Sequence, residues 1–313
     1  MRIRYRFLAA VVPLGVALLA SACSSSTAAT TGSSGSSGSK IVAVGAENEY
    51  ADVLTQVGGK YVQASAIMSN PNTDPHTFEA SASVARTVSA AQLVVQNGVG
   101  YDTFMNTIEN AAPNSARKVI VVQDLLGLPT DTPNPHLWYK PVTMPAVADA
   151  VAADLAALQP SHASYFKANA AAFISSLTAW NNAIAAFKAK YANTPVATTE
   201  PVADYMLQAV GADNMTPFAF QADIMNGTDP SAQDVAIERS LFTQHKVKVF
   251  LYNQQVTDSL TESLITLAQQ NGIPVVGVYE TMPVPGYDYQ SWMLAEVQAL
   301  QKAVTSKVST EHL

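Results

Sequence analysis

The feature that most constrains the fold is a repeated alternation of short β-branched runs with helix-like segments. The runs fall into two groups, at 40–46, 61–68, 92–97 and 118–123 and then at 194–199, 247–253 and 273–279. Helix-like segments lie between or after them, at 80–91, 258–271 and 288–307. This alternation is typical of α/β folds in which a mostly parallel sheet is flanked by helices. The two groups of runs predict two such lobes.

An alanine-rich stretch without glycine, residues 143–190, separates the two groups. Pro160 divides it, because proline removes a backbone donor and interrupts a helix. Residues 161–191 contain neither proline nor glycine, and their large apolar residues recur at helical spacings, which predicts one long helix of about 45 Å. We therefore expect an N-terminal lobe over 40–159, a long connecting helix over 160–191 and a C-terminal lobe over 192–313.

The N-terminus has the pattern of a lipoprotein signal peptide. Arg2, Arg4 and Arg6 precede an uncharged apolar run, and small residues precede Cys23, the only cysteine in the chain. This order predicts a signal peptide over 1–22, lipid attachment at Cys23 and anchoring to the outer face of the cytoplasmic membrane. The alternatives are a plain signal peptide with an incidental cysteine, or a short membrane anchor. With Cys23 lipidated, no thiol remains for a disulfide or a thiolate metal site.

The residues that follow the signal peptide have the composition of a tether. Residues 24–39 are rich in serine and glycine and contain neither a charge nor a large apolar side chain. Such a segment cannot contribute to a packed core, and we expect it to be flexible, with a reach of roughly 22 Å. Together with Cys23 it would hold the globular part clear of a membrane surface.

The charge balance limits the partners of the mature protein. Residues 1–22 carry three arginines and no acidic residue, so 14 basic residues remain against 24 acidic ones, a net charge of −10. A protein with this charge repels nucleic acid and attracts cations. We therefore expect no nucleic-acid partner.

Two of the five histidines follow a proline in loops downstream of predicted strands. His76 lies in "NPNTDPHTFE" and His136 in "NPHLWYK". The preceding proline stiffens each loop, which would hold the imidazole in one direction. The alternative is a histidine that is simply hydrogen-bonded within its loop. We interpret His245 as a structural residue and expect His312 to lie in a disordered tail.

Two glutamates occupy matching positions in the second group of strands. Glu200 follows "TPVATT", and Glu280 follows "IPVVGVY". Ligands of parallel α/β sheets bind at the carboxyl ends of strands, so four such ends would line a cleft between two lobes. Two imidazoles and two carboxylates suit a divalent first-row metal ion. Glu200 could instead be a carboxylate at a helix N-terminus, and Glu280 an exposed loop residue.

Four segments resemble, in the same order, the solute-binding lipoproteins of zinc and manganese ABC importers, the cluster A-I binding proteins. They are "NPNTDPHTFEASASVARTVSAAQLVVQNGVGYD", "NPHLWYKPVTMPAVADAVAADL", "TTEPVADYMLQAVG" and "LYNQQVTDSLTESLITLAQQNGIPVVGVYETMP". The resemblance runs from about residue 40 to the C-terminus. It implies two α/β lobes joined by one long helix, with a Zn²⁺ or Mn²⁺ ion between them. Position by position, it implies His76, His136, Glu200 and Glu280 as metal ligands.

The sequence departs from the pattern of this family in three places. The fourth ligand is often aspartate, so that Asp288 competes with Glu280 for this position. Lys140 stands where an acidic residue is common, and the histidine-rich acidic loop of many zinc-specific members is absent. The carboxylates make manganese plausible, whereas zinc binds mixed nitrogen and oxygen sites more tightly, so the sequence leaves the ion open.

The resemblance implies a monomeric binding protein, not an enzyme, that delivers its metal ion to a membrane permease. One alternative is a metal-dependent hydrolase that uses the same site. Against it, the sequence contains neither H-E-x-x-H nor G-x-S-x-G, and four protein ligands would close a tetrahedral zinc site. The other alternative is a surface adhesion lipoprotein, which would keep the fold and change the partner.

Overall fold

The first lobe is built on a four-stranded parallel sheet with the strand order β2-β1-β3-β4. The structure is a computed structural model, and it describes residues 39–70, 78–283 and 285–313. The central strands of this sheet are buried on both faces, which is why they read as continuous apolar runs in the sequence. The strands are β1 (Ile41–Glu47), β2 (Val62–Met68), β3 (Leu93–Gln96) and β4 (Lys118–Val121).

The second lobe repeats this topology with the order β6-β5-β7-β8, again all parallel. In each sheet the second strand lies on one side of the first strand, and the third and fourth strands lie on the other side. The first and third strands, β1 and β3 or β5 and β7, therefore flank a topological switch point. Ligands of open α/β sheets bind at this point, at the carboxyl ends of the strands. The strands are β5 (Pro195–Thr198), β6 (Asp213–Asn214), β7 (Val249–Asn253) and β8 (Val275–Val278).

Helices cover both sheets, as the predicted α/β class requires. In the first lobe they are α1 (Asn48–Gly58), α2 (Ala82–Ala90), α3 (Thr103–Ala111), α4 (Val122–Leu125) and α5 (Thr143–Leu158). In the second lobe they are α8 (Asp204–Val210), α9 (Phe218–Met225), α10 (Ala232–Thr243), α11 (Ser259–Gln270) and α12 (Tyr289–Ser306). Among the described residues no helix combines the length and the apolar character needed to cross a membrane.

The predicted long connecting helix is present, with one interruption. It consists of α6 (Ala163–Ser176) and α7 (Thr178–Tyr191), separated only by Leu177. The backbone of Leu177 remains in the right-handed helical region, but its N–H bonds Ile174 O at 3.3 Å in a tighter turn. Helix α6 packs on α1 and α5, whereas α7 packs on α8 and α12. The connector therefore contacts both lobes, while the exact lobe boundaries stay a prediction.

The largest hydrophobic core contains residues from both lobes and from the connector. Trp138, Trp180 and Trp292 are all fully buried in it, with Tyr289 between them. The Tyr289 ring lies 6.0 Å from Trp180 and 6.4 Å from Trp292, both in edge-on geometry. Burial of each such side chain stabilises the fold by about 1.5–3 kcal/mol. The described residues from Ser39 onward accordingly belong to one compact unit.

The C-terminal tail adds a short parallel segment to the outer edge of the second sheet. Thr310 N–H donates to Val275 O, and Gly277 N–H donates to Thr310 O, both at 2.9 Å. Leu313 N–H reaches the hydroxyl of Tyr279 at 3.2 Å. The expectation of a disordered tail around His312 is therefore wrong, because the exposed edge of β8 offers the tail a row of backbone partners.

Candidate metal centre

Three of the four predicted metal ligands lie among the described residues, and all three are buried. His136 precedes a short 3-10 helix at Leu137–Tyr139, Glu200 follows β5 and Glu280 follows β8. The His136 and Glu280 side chains are fully buried, and Glu200 is 2% exposed. Burial of two carboxylates and an imidazole is costly unless they are paired or bind a cation.

His136 and Glu280 meet across the two lobes. The Nε2 atom of His136 lies 3.3 Å from Oε2 of Glu280, and the same oxygen accepts a hydrogen bond of 2.8 Å from the Tyr101 hydroxyl. The contact joins an imidazole from the first lobe to a carboxylate from the second. A cation at this point would bridge the lobes.

The hydrogen bonds of Asn134 fix the tautomer of His136. Asn134 Oδ1 accepts the backbone N–H of His136 at 3.0 Å and lies 2.8 Å from its ring nitrogen Nδ1. The Asn134 amide nitrogen donates to Pro201 O at 2.7 Å, which fixes the amide orientation. Because Oδ1 is an acceptor, Nδ1 carries a proton, and Nε2 is the ring nitrogen that faces Glu280 and is placed to bind a metal ion.

Glu200 is joined to Glu280 through the last residue of β7. The amide nitrogen of Asn253 donates to Glu280 Oε1 at 2.6 Å and to Glu200 Oε1 at 3.2 Å. Gln255 supports the backbone next to the site, because its Oε1 accepts the N–H groups of Glu280 and Thr281 at 2.7 and 2.9 Å. These amides hold the two carboxylates of the second lobe side by side at the switch point.

Further buried carboxyl groups surround this site from the first lobe. Burial raises the pKa of Glu49 well above its ordinary value, and the nearby charge of Glu280 raises it further. Burial also raises the pKa of Glu47 well above its ordinary value, with Asp102 and Glu49 adding to the effect. The pKa of Tyr101 is raised by burial and then by the charge of Glu280. The surroundings of the site therefore disfavour additional negative charge and favour a cation.

The structure describes only part of the predicted ligand set. Within residues 39–70, 78–283 and 285–313, no three side chains from His, Cys, Asp and Glu are grouped closely enough to hold a metal ion. His76 and Cys23 lie outside the described residues. The carboxylate of Asp288 accepts the N–H of Ser291 at 2.9 Å as the N-cap of α12. Lys140 lies over the ring of Tyr205, 5.2 Å from its centroid.

Sequence reasoning missed the polar residues that hold the candidate ligands. Tyr101, Asn134, Asn253 and Gln255 each bond a candidate ligand or its backbone. Asn253 carries the clearest signal, because it ends a buried strand just as Glu200 and Glu280 follow theirs. Asn134 stands two residues before His136, and only the fold shows that its amide turns back to the ring.

Comparison with known proteins identifies the family. The family model for the periplasmic zinc-uptake complex component A, ZnuA, matches residues 44–303. The manganese-binding lipoprotein MntA of Bacillus subtilis strain 168 is 22% identical over 239 residues, 72% of this chain and 74% of that protein.

Two solved structures share the fold. A crystal structure of ZnuA aligns with a TM-score of 0.71 at 21% identity, over 85% of this chain and all of the other. The periplasmic zinc-binding protein TroA of Treponema pallidum also aligns with a TM-score of 0.71, at 18% identity, over 87% of this chain and all of the other. The chain therefore has the predicted fold of two lobes joined by a connector. It belongs to the family of periplasmic zinc-uptake complex component A.

Proposed function

We propose that this chain is an extracytoplasmic solute-binding protein that captures one divalent transition-metal ion between its lobes. The observation that carries the proposal is the contact between His136 Nε2 and Glu280 Oε2 at 3.3 Å. When the His136 ring is neutral with its proton on Nδ1, both atoms present lone pairs, and two such acceptors repel each other at this distance unless a proton or a metal ion lies between them. A site of this kind, buried and surrounded by carboxyl groups, selects a cation.

The proposed ligands of the transported ion are His136, Glu200 and Glu280, with His76 as the fourth. Glu280 is preferred to Asp288, because the Asp288 carboxylate caps a helix. Two imidazoles and two carboxylates suit Zn²⁺ and Mn²⁺. The relatives support both ions, since MntA is named as manganese-binding and TroA as zinc-binding. Zinc would bind more tightly, whereas the oxygen ligands accommodate manganese.

The bound ion would be delivered to the permease of an ABC importer. The N-terminal pattern supports a lipid anchor on Cys23, with residues 24–39 as the tether. The relative MntA is named as a lipoprotein, which supports a lipid-anchored, extracytoplasmic location for this chain as well. Membership in an uptake family favours this role over the metallohydrolase and adhesion alternatives.

Metal titration of the mature protein tests the proposal. Protein stripped of metal and titrated with Zn²⁺ or Mn²⁺ in a calorimeter should bind one ion per chain. His136→Ala and Glu280→Gln should each weaken binding by at least tenfold, whereas His312→Ala, which removes an exposed histidine of the tail, should not. Unchanged stoichiometry and affinity in both site variants would refute the assignment of these ligands.

A further inference from the structure

The hydroxyl group of Tyr139 joins the two segments that carry His136 and Glu280. It donates to Tyr279 O at 2.9 Å and accepts the N–H of Tyr279 at 3.3 Å. Tyr139 lies three residues after His136, and Tyr279 immediately precedes Glu280. One side chain of the first lobe thus holds both backbone groups of the residue next to a proposed ligand in the second lobe.

Glu296 on α12 holds the same hydroxyl from a third direction. Its Oε1 lies 3.2 Å from the Tyr139 hydroxyl and accepts the indole N–H of Trp292 at 3.0 Å. Glu296, Tyr139 and Trp292 are all fully buried. The pKa of Tyr139 is raised by burial, by the charge of Glu296 and, more weakly, by the charge of Glu49 from the first lobe.

The Tyr139 hydroxyl cannot donate to both of its neighbouring acceptors at once. The Tyr139 hydroxyl has a single hydrogen, yet it faces two acceptors, Tyr279 O and Glu296 Oε1. If the carboxyl of Glu296 is neutral, its own hydrogen can point to the Tyr139 oxygen, and the tyrosine hydrogen is free for Tyr279 O. Burial raises the pKa of Glu296 to about 8, which agrees with a neutral carboxyl at neutral pH.

We propose that Tyr139 and Glu296 form a positioning pair that sets the distance between His136 and Glu280 and thereby the affinity for the metal ion. The inference rests on the proposed ligands and adds Tyr139, which bonds the backbone of Tyr279, and Glu296, which bonds Tyr139. Glu296 acts through Tyr139 by directing its hydrogen to the backbone of Tyr279. Polar partners of this kind typically change metal affinity by about 10- to 100-fold when removed.

The test compares the metal affinity of Tyr139→Phe with that of a matched control, Tyr252→Phe. The hydroxyl of Tyr252 bonds Gln254 and the backbone of Glu311, both in the second lobe. Tyr139→Phe should weaken Zn²⁺ binding by about tenfold, chiefly through faster dissociation in a chelator chase. Tyr252→Phe should bind as the wild type does.

A double-mutant cycle separates a positioning role from a merely structural one. In Glu296→Gln the indole N–H of Trp292 keeps the amide oxygen at the position of Oε1, where it has no hydrogen to donate to Tyr139. This variant should therefore weaken binding in the wild-type background and add nothing in the Tyr139→Phe background. Wild-type affinity in Tyr139→Phe, or fully additive losses in the double variant, would overturn the inference. If Tyr139→Phe fails to fold, Glu296→Gln decides alone, since unchanged affinity in that variant also overturns it. Failure of the wild type to bind an ion would instead refute the proposed function.

Discussion

Asn48 and the backbone of Met282 exchange two hydrogen bonds of 2.8 Å between the lobes. The amide nitrogen of Asn48 donates to Met282 O, and its amide oxygen accepts the N–H of Met282. Asn48 follows β1 of the first lobe, and Met282 lies two residues after Glu280 in the second. A side chain that mimics a backbone partner therefore closes the lobe interface beside the candidate metal centre.

Replacing this amide by an isosteric carboxylate should destabilise the protein. In Asn48→Asp one oxygen still accepts the N–H of Met282, but the other oxygen faces Met282 O without a hydrogen to donate. The same buried surroundings raise the pKa values of the neighbouring Glu47 and Glu49, so a charged carboxylate at position 48 would also be poorly solvated. We expect the free energy of unfolding in urea to fall by about 1–3 kcal/mol.

The control for this variant is Asn226→Asp, at an exposed position where the amide bonds only a helix carbonyl, Ala222 O. Its free energy of unfolding should change by less than about 0.5 kcal/mol. Equal losses in the two variants would show that the exchange between Asn48 and Met282 contributes nothing specific.

Removal of the Asn134 side chain should weaken metal binding without removing a ligand. Asn134→Ala leaves Nδ1 of His136 without the oxygen that fixes its proton, and it also breaks the bond to Pro201 O. The ring can then adopt the tautomer in which Nε2 is protonated and cannot ligate. Affinity for Zn²⁺ should fall by about 10- to 100-fold in a competition titration.

Nitrogen chemical shifts of the His136 ring provide the direct readout for this prediction. The metal-free wild type should show the tautomer protonated on Nδ1, and Asn134→Ala should show a mixture. A single unchanged tautomer in the variant would mean that Asn134 does not determine the proton position.

Most strands and helices could be predicted from the sequence, because buried parallel strands are continuous apolar runs bounded by turns. The run 247–253, for example, contains β7, Val249–Asn253. Strand β6 escaped prediction, since Asp213–Asn214 is only two residues long and polar. The ordered tail escaped it too, because the pairing of Thr310 with β8 depends on a free edge that only the folded sheet provides.

The candidate site could be predicted only in part. The positions of His136 and Glu280 after predicted strands led to the expectation that both face one cleft, and the structure brings their side chains into contact. The partners of these residues could not be predicted, since Tyr101 reaches Glu280 and Tyr139 reaches Tyr279 only through the packing of one lobe on the other. Sequence spacing carries no information on contacts between residues more than 130 positions apart.

Stability should depend on pH through buried Glu238, which lies on α10 away from the candidate site. Burial raises the pKa of Glu238 from 4.5 to about 8, against a smaller lowering by the Thr216 hydroxyl. The folded state therefore keeps this proton at pH values where the unfolded chain has lost it. The stabilisation is complete below about pH 4.5 and is lost as the pH rises towards 8.

Glu238→Gln should abolish this part of the pH dependence. An amide stays neutral at every pH, so the variant should lose less stability than the wild type between pH 5 and 8, by up to about 3 kcal/mol. Glu262→Gln, at an exposed position on α11, serves as the control and should follow the wild type. Parallel curves for the wild type and Glu238→Gln would show that Glu238 does not titrate in this range.

Metal loading should stabilise the protein, and acid should reverse the effect. A ligand that binds only the folded state stabilises it by about 2.7 kcal/mol at a free concentration of one hundred times Kd. Protonated imidazole cannot ligate, so the gain in Tm on adding Zn²⁺ should shrink as the pH falls from 7 to 5. In His136→Ala the remaining gain should be small at both pH values. A gain in Tm that is the same at pH 5 and pH 7 in the wild type would contradict histidine ligation.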